Sequence, residues 1–345
     1  MPERLLATRA QKAFIGTITI QAIVVLAMVG IVFRKVQDHV DFTGGYKTLP
    51  CYLALFALAE IFEGLMAFNA LQLRNVIQLI GILVFHGALA IFSGIQIMET
   101  RDALTNPLGC TRCAPPGLWH DVLPFLIVVP CVIVAAWAVM GFFFMELYSE
   151  FGWAIFHVVG ANPRMKRMYQ WYQIMLCLLK FDFFFFIGVS MQLLIIVLAK
   201  NTAEFGVTVA AIPVVLVLLA MCGIAVQREI KWALTVSLTL MLAALSYLYK
   251  LVRIYEPASR NAYSTTRISL TIFIVVAFIL LFGTFAVGLR CFADFDRGLL
   301  ASKVNGQSYA PVATKLEFFG GGKSSEQQQG SYYGGAPVAQ RISIE

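Results

Sequence analysis

Five ionisable side chains interrupt the apolar segments of this sequence and are its candidates for chemistry. Glu60 and Glu63 lie in one apolar segment, His86 in the next, and Lys180 and Asp182 in the run "CLLKFDFFFFIGVSMQLLIIVL". An ionisable group at the centre of a bilayer costs about 2.5 to 3.5 kcal/mol, so it requires a partner, water or a route to the interface. Carboxylates, an imidazole and an ammonium in one bundle predict either pairing between helices or a path for ions and protons.

The spacing of these residues suggests how two of them pair. Glu60 and Glu63 are three residues apart, so they share one face of a helix. A short turn near Leu73 joins this segment to the next, and Glu60 and His86 each lie thirteen residues from it. At about 1.5 Å per residue they reach the same depth. We therefore predict a Glu60–His86 pair, provided that the two helix faces meet.

Lys180 is predicted to form an ion pair with Glu63, because both lie roughly 14 Å inside their segments. Asp182 lies about 200° around the helix from Lys180, so it must face another helix or a water-filled cleft. Two alternatives stay open. Lys180 could extend its four-carbon stem to the headgroups with Asp182 in water near the membrane surface, or both residues could serve transport.

Composition identifies an integral membrane protein. The 345 residues are 59% hydrophobic and 13% charged, and the mean hydropathy is +0.79. Because the ten-residue alternation of a membrane β-barrel is absent, we predict an all-α polytopic transmembrane bundle of about eight spans, with seven as the alternative count. The segments are Ala13–Phe33, Leu49–Leu71, Val76–Met98, Val122–Met145, Trp171–Ala199, Phe205–Val226, Trp232–Val252 and Ile268–Leu289.

The chain divides into three parts. Residues 1–290 form the predicted transmembrane domain, and 291–304 a short amphipathic helix on the membrane surface, where Cys291 is a candidate for palmitoylation. Residues 305–345 are rich in Gly, Ser and Gln and are predicted to be a disordered tail that presents itself to cytosolic trafficking partners. Between segments four and five, Trp153 and Phe156 indicate an interfacial helix that breaks at Gly160.

Basic residues favour a cytosolic location for both termini. With eight spans, twelve Lys and Arg residues lie on the side of the N-terminus and nine on the other side. The first set is Arg4, Arg9, Lys12, Arg74, Arg164, Lys166, Arg167, Arg228, Lys231, Arg290, Arg297 and Lys303, and the second is Arg34, Lys35, Lys47, Arg101, Arg112, Lys200, Arg253, Arg260 and Arg267. Basic residues that face the anionic lipid of the bilayer are sufficient to explain the net charge of +7, so no nucleic-acid partner is needed to explain it.

Two cysteines in a loop form a CxxC motif, "NPLGCTRCAPPG", with Cys110 and Cys113. If the loop is lumenal, an oxidising compartment favours a local disulfide, and two unpaired thiols are the alternative. Zinc would need further ligands, and the neighbouring sequence supplies none. We find no catalytic motif such as HExxH, GxSxG or a P-loop, so we predict a chain that is not an enzyme and has no cofactor or metal.

Three stretches resemble an uncharacterised family of fungal Golgi apparatus membrane proteins. They are Phe62–Gly81 ("FEGLMAFNALQLRNVIQLIG"), Glu146–Phe156 ("ELYSEFGWAIF") and Arg164–Gly188 ("RMKRMYQWYQIMLCLLKFDFFFFIG"). The resemblance extends from the first span to about Gly298. It implies a place, the Golgi membrane. Because the family has no assigned activity, it implies no ligand and no site residue.

Three functions follow from these observations. The first is a multi-pass Golgi or endomembrane protein without enzymatic activity, serving membrane organisation or trafficking. The second is a secondary transporter in which the five ionisable residues line a path, although the sequence shows no clear internal repeat of the kind many transporters have. The third is a seven-span, receptor-like protein, for which the two termini would lie on opposite sides of the membrane.

Overall fold

The computed structural model describes residues 8–40, 46, 48–105, 114–115, 117–159, 163–197, 203–252 and 267–295. These residues are almost entirely helical, which confirms the predicted all-α class. The helices are α1 (Arg9–Gln37), α2 (Thr48–Leu73), α3 (Val76–Thr105), α4 (Leu118–Val159), α5 (Pro163–Gln192, continued by a π-helical turn over Leu193–Val197), α6 (Ala203–Gln227), α7 (Lys231–Val252) and α8 (Arg267–Asp294).

Six of these helices are long and apolar enough to cross a membrane: α1 to α5 and α8. The helices α6 and α7 contribute shorter apolar stretches, Ile212–Gln227 and Lys231–Ser246. Among the described residues, six helices therefore have the length and apolar composition of a full span. The predicted count of about eight spans, or seven, stays a prediction.

Helix α4 differs most from its prediction. It runs without interruption over 42 residues, about 63 Å, which is twice the thickness of the hydrocarbon core. The predicted separate interfacial helix at Trp153 and Phe156 is wrong, because both residues belong to α4. No proline lies between Pro130 and Pro163, so nothing in that stretch removes a helical hydrogen bond. Pro163 instead begins α5, at the position where a helix tolerates it best.

The eight helices pack as two groups of four with the same order of neighbours. In the first group, α1 and α3 each pack against α2 and α4. In the second group, α5 and α7 each pack against α6 and α8. Helix α5 also contacts α2, α3 and α4, and so it joins the second group to the first.

The middle turns of the two groups have the same backbone geometry. Arg74 follows α2 with a φ of 49°, and Glu229 follows α6 with a φ of 55°. The next amide in each turn donates to a carbonyl five residues back, from Asn75 to Ala70 at 3.0 Å and from Ile230 to Ala225 at 2.9 Å. This is the Schellman ending of a helix. The two groups therefore repeat the same backbone geometry at this turn. The sequence does not show this repeat, because the corresponding side chains differ.

Phenylalanine rings fill the contact between the groups. The Phe184 ring centroid lies 4.8 Å from that of Phe62, 4.9 Å from Phe85 and 6.3 Å from Phe273. Each such pair contributes about 0.5 to 1.5 kcal/mol beyond its buried area. Gly188 permits α8 to approach α5 closely, because a Cβ atom at this position would lie only 2.7 Å from the Phe273 ring.

Helix α8 continues to Asp294, so it includes the first residues of the predicted surface helix 291–304. Residues 296–345 lie outside the described residues, and the rest of that helix and the predicted tail 305–345 lie there with them.

Candidate functional site: buried polar side chains between the helices

Glu63 and His86 form the most deeply buried polar pair. The carboxylate Oε1 of Glu63, on α2, lies 2.6 Å from Nδ1 of His86, on α3, and both side chains have zero exposed surface. The other ring nitrogen of His86, Nε2, lies 2.9 Å from the carbonyl oxygen of Ile133 on α4. The pair therefore connects three helices.

The bond to Ile133 fixes the proton content of the pair. A carbonyl oxygen only accepts, so Nε2 of His86 must carry a hydrogen. Nδ1 and Oε1 then share a single proton, which resides either on the ring or on the carboxyl group. In both arrangements the pair has zero net charge, the state that burial in a membrane interior favours.

Glu60 has a different partner from the one predicted. Its carboxylate, 2% exposed, accepts from Nε2 of Gln21 on α1 at 3.1 and 3.2 Å. The predicted Glu60–His86 pair is wrong by one helical turn. Helical side chains lean towards the N-terminus of their own helix, so His86 leans towards the α2–α3 turn and Glu60 leans away from it. Glu63, three residues nearer the turn, is the carboxylate that His86 reaches.

Lys180 does not pair with Glu63, and that prediction is also wrong. Its ammonium donates to Asn69 Oδ1 at 2.5 Å and to Gln78 Oε1 at 2.8 Å. The side chain is half-buried and leans towards the N-terminus of α5, as expected of a helical residue. It therefore reaches the residues beside the α2–α3 turn. This is the direction expected if Lys180 extends its stem towards the headgroups, but here the ammonium contacts two amide oxygens of the protein.

Gln78 is held in place by the start of α3. Asn75 caps this helix, since its Oδ1 accepts from the amides of Ile77 at 3.0 Å and Gln78 at 3.2 Å. The side-chain Nε2 of Gln78 donates to the carbonyl of Met66 at 2.8 Å. Its Oε1 is thereby turned towards Lys180, and the turn and α5 are joined through one amide group.

Asp182 has its own partner, on the opposite side of α5 from Lys180, as predicted. Its Oδ2 lies 2.5 Å from the Thr284 hydroxyl of α8, which also lies 3.0 Å from the carbonyl of Leu280. A hydroxyl has one hydrogen to donate. Both contacts are satisfied together when a protonated Asp182 donates to Thr284 and Thr284 donates to Leu280.

Sequence reasoning missed Glu99, which is 4% exposed. One carboxylate oxygen accepts from the Tyr52 hydroxyl, and the other accepts from the amide of Ser269 at 3.1 Å. Ser269 lies in the first turn of α8, so the carboxylate meets the positive end of that helix dipole. The contact joins α2 and α3 to α8.

The signal for Glu99 was present in the sequence. The predicted third segment ends at Met98, whereas α3 extends to Thr105. Buried polar residues continue the His86 side of this helix at Ser93, Gln96 and Thr100. Their helical spacing of three and four residues indicated a longer helix.

Glu150 is a second residue that was missed. Its carboxylate accepts from the Thr8 hydroxyl at 3.1 Å and from Nε2 of Gln11 at 2.5 Å. These contacts join the C-terminal half of α4 to the first turn of α1. Glu150 lies within one of the three stretches on which the family resemblance depends. At least one residue of that stretch therefore serves to pack α4 against α1.

The structure describes only one of the three cysteines for which the sequence predicts a modification. Cys110 and Cys113 lie outside the described residues. Cys291 lies in the last turn of α8 and is 5% exposed, so its acylation, which stays a prediction, requires the thiol to leave this packing. Among the described residues, no three His, Cys, Asp or Glu side chains converge in a way that could hold a metal ion.

Comparison with known proteins supplies a relative. The chain is 29% identical over 277 residues to the UPF0658 Golgi apparatus membrane protein of Schizosaccharomyces pombe, a match that covers 74% of this chain and 78% of the relative. This chain resembles an uncharacterised Golgi membrane protein. The similarity confirms the resemblance seen in the three sequence stretches. No known family profile and no solved structure matches the chain.

The polar contacts of Glu60, Glu63, His86 and Asp182 join different helices of this chain. These four residues each form one or two short contacts with other helices. They do not form one cluster with Lys180. Chemically, the arrangement can fasten helices together, and the Glu63–His86 pair can additionally hold a proton in the membrane interior.

Proposed function

We propose that this chain is a Golgi-resident multi-pass protein without enzymatic activity, serving membrane organisation or trafficking. The Golgi location is taken from the name of the yeast relative. One observation supports the non-catalytic part: Oε1 of Glu63 and both ring nitrogens of His86 form contacts that join α2, α3 and α4. In this proposal the ionisable residues stabilise the bundle, and the activity lies in what the bundle presents to other membrane components.

We further propose that both termini face the cytosol. The tight turn at Arg228 to Ile230 joins α6 and α7, so these two helices either both cross the membrane or both stop short of crossing. The number of spans is even in either case, which argues for termini on one side and against a seven-span receptor. The excess of basic residues on that side supports the cytosol.

The experiment uses two substitutions of one residue. Gln in place of Glu63 can donate to Nδ1 of a neutral His86 and so preserves the helix contact, whereas Leu cannot. Tagged wild type, Glu63→Gln and Glu63→Leu are expressed in cells lacking the chain, and two quantities are measured: co-localisation with a Golgi marker, and the Golgi retention of a resident reporter protein.

We expect Glu63→Gln to behave as wild type and Glu63→Leu to lose abundance and reporter retention together. The opposite pattern would contradict the proposal: a Glu63→Gln protein that reaches the Golgi at normal abundance but does not restore the reporter. That pattern would mean that the carboxyl group itself performs the activity.

A secondary transporter is the second candidate, favoured by the single proton that Glu63 and His86 share. Its test is uptake by the purified chain in liposomes with and without a proton gradient. Transport predicts gradient-dependent flux in wild type that Glu63→Gln abolishes while the variant stays folded. If flux in wild-type and empty liposomes is equal for every solute tried, this candidate is not supported.

A further inference from the structure

Lys180 has a charge that no carboxylate balances in the described parts of the chain. Its ammonium donates to two neutral amide oxygens, those of Asn69 and Gln78. An ammonium has three N–H groups, so two are used within the protein and a third is available. A half-buried cation in a membrane protein normally pairs with an anion, because amide oxygens do not cancel its charge.

The position of this ammonium is close to the membrane surface. Gln78 is the third residue of α3, and Asn69 lies four residues before the end of α2. At about 1.5 Å per residue, both lie within roughly one turn of the α2–α3 connection. The ammonium is therefore at the boundary between acyl chains and headgroups, where lipid phosphates lie.

The surroundings suit a lipid more than a protein partner. Leu65, Phe68 and Leu73, on the part of α2 that carries Asn69, are 66%, 47% and 55% exposed. Such an apolar surface at this depth faces acyl chains. A phosphate at the ammonium, above an acyl-lined surface, matches both the cation and the exposed apolar residues.

We propose that Lys180, held by Asn69 and Gln78, binds the phosphate group of an anionic phospholipid at the junction of α2, α3 and α5. The ammonium donates its third N–H to a phosphate oxygen, a charge-assisted hydrogen bond. The two amide oxygens fix the direction of that N–H. This site is independent of the Glu63–His86 pair and of the proposed function.

The test measures lipid retention by the full-length chain purified in detergent. Phosphatidic acid and phosphatidylcholine are titrated separately, and bound lipid is counted by native mass spectrometry. We expect preferential binding of phosphatidic acid, weakened about fivefold in Lys180→Met, the factor expected for one cation near a membrane surface. Lys166→Met is the comparison variant: it removes an exposed cation from the same helix and so measures general charge attraction, and it should weaken the preference for phosphatidic acid less than Lys180→Met does.

A second variant keeps the lysine. Asn69→Asp places a carboxylate against the ammonium and so supplies an internal counter-ion, which should reduce phosphatidic acid binding to the level of Lys180→Met. The proposal is overturned if Lys180→Met and Asn69→Asp both bind as wild type does. Complete displacement of the lipid by inorganic phosphate would identify free phosphate as the occupant and overturn the assignment to lipid.

Discussion

Glu63 and His86 meet at 2.6 Å with no surface of either side chain exposed, and this contact determines how α2, α3 and α4 are held. The pair contains one shared proton because His86 also donates to the carbonyl of Ile133. Removal of one partner leaves the other buried without its bond, which costs about 1 to 3 kcal/mol for a neutral group and more for a charged one.

We predict that Glu63→Gln is tolerated far better than Glu63→Leu. Gln retains a hydrogen bond to His86, whereas Leu leaves Nδ1 of the ring unsatisfied and should lower stability by about 1 to 3 kcal/mol. Thermal unfolding of the detergent-solubilised chain, followed by size-exclusion chromatography, measures the difference. Equal losses in the two variants would show that the hydrogen bond is not what Glu63 contributes.

Asp182→Asn should have little effect on stability. The contacts of Thr284 are satisfied by a protonated Asp182, and an Asn amide can donate to the same hydroxyl. Asp182→Leu should cost about 1 to 3 kcal/mol, because Thr284 loses its partner. The same unfolding assay compares the two. A large loss in Asp182→Asn would indicate that the carboxylate is charged and that its charge is required.

Tyr52→Phe and Glu99→Gln should each destabilise the contact with α8. Phe removes the hydroxyl that donates to Glu99, and Gln removes the negative charge at the start of α8, which is worth about 0.3 to 1 kcal/mol or more when partly buried. We expect the double variant to lose less than the sum of the single losses. Strict additivity in a double-mutant cycle would mean that the two residues act separately.

Glycine substitutions test the packing of α5 against α8. A Cβ atom at Gly188 would lie 2.7 Å from the Phe273 ring, whereas a Cβ atom at Gly94 would meet nothing within 4 Å. Gly188→Ala should therefore cost about 1 to 3 kcal/mol through overpacking. Gly94→Ala is the control and should be neutral or stabilising, because Ala favours a helix interior over Gly. Equal melting temperatures for both variants would contradict the close packing of α5 on α8.

The sequence predicted the membrane bundle and the buried set of ionisable residues, but it paired them wrongly. Depth along a helix follows from residue counting, so the level of Glu60 and His86 was predictable. The partner depends on which way each side chain leans and on which faces meet. Glu63 therefore replaced Glu60, and Asn69 with Gln78 replaced Glu63 as the contact of Lys180.

Contacts made by amides and hydroxyls were harder to foresee than those of charged residues. Asn69 and Gln78 are uncharged polar residues beside a turn, and Thr284 is a single hydroxyl residue in an apolar helix. Nothing in the sequence marks them as partners of buried charged residues. Only the fold brings them to Lys180 and Asp182. Glu99 is different: the helical spacing of polar residues after His86 could have extended α3 and included it.

The most direct measurement of the central claim, that buried polar pairs fasten the helices, is a double-mutant cycle on Glu63 and His86. Melting temperatures are measured for wild type, Glu63→Leu, His86→Leu and the double variant in one detergent. The account predicts that each single variant melts well below wild type and that the double variant recovers most of the loss, since replacing both partners leaves neither an unpaired carboxyl group nor an unpaired imidazole. A double variant that loses the sum of the two single losses would contradict it.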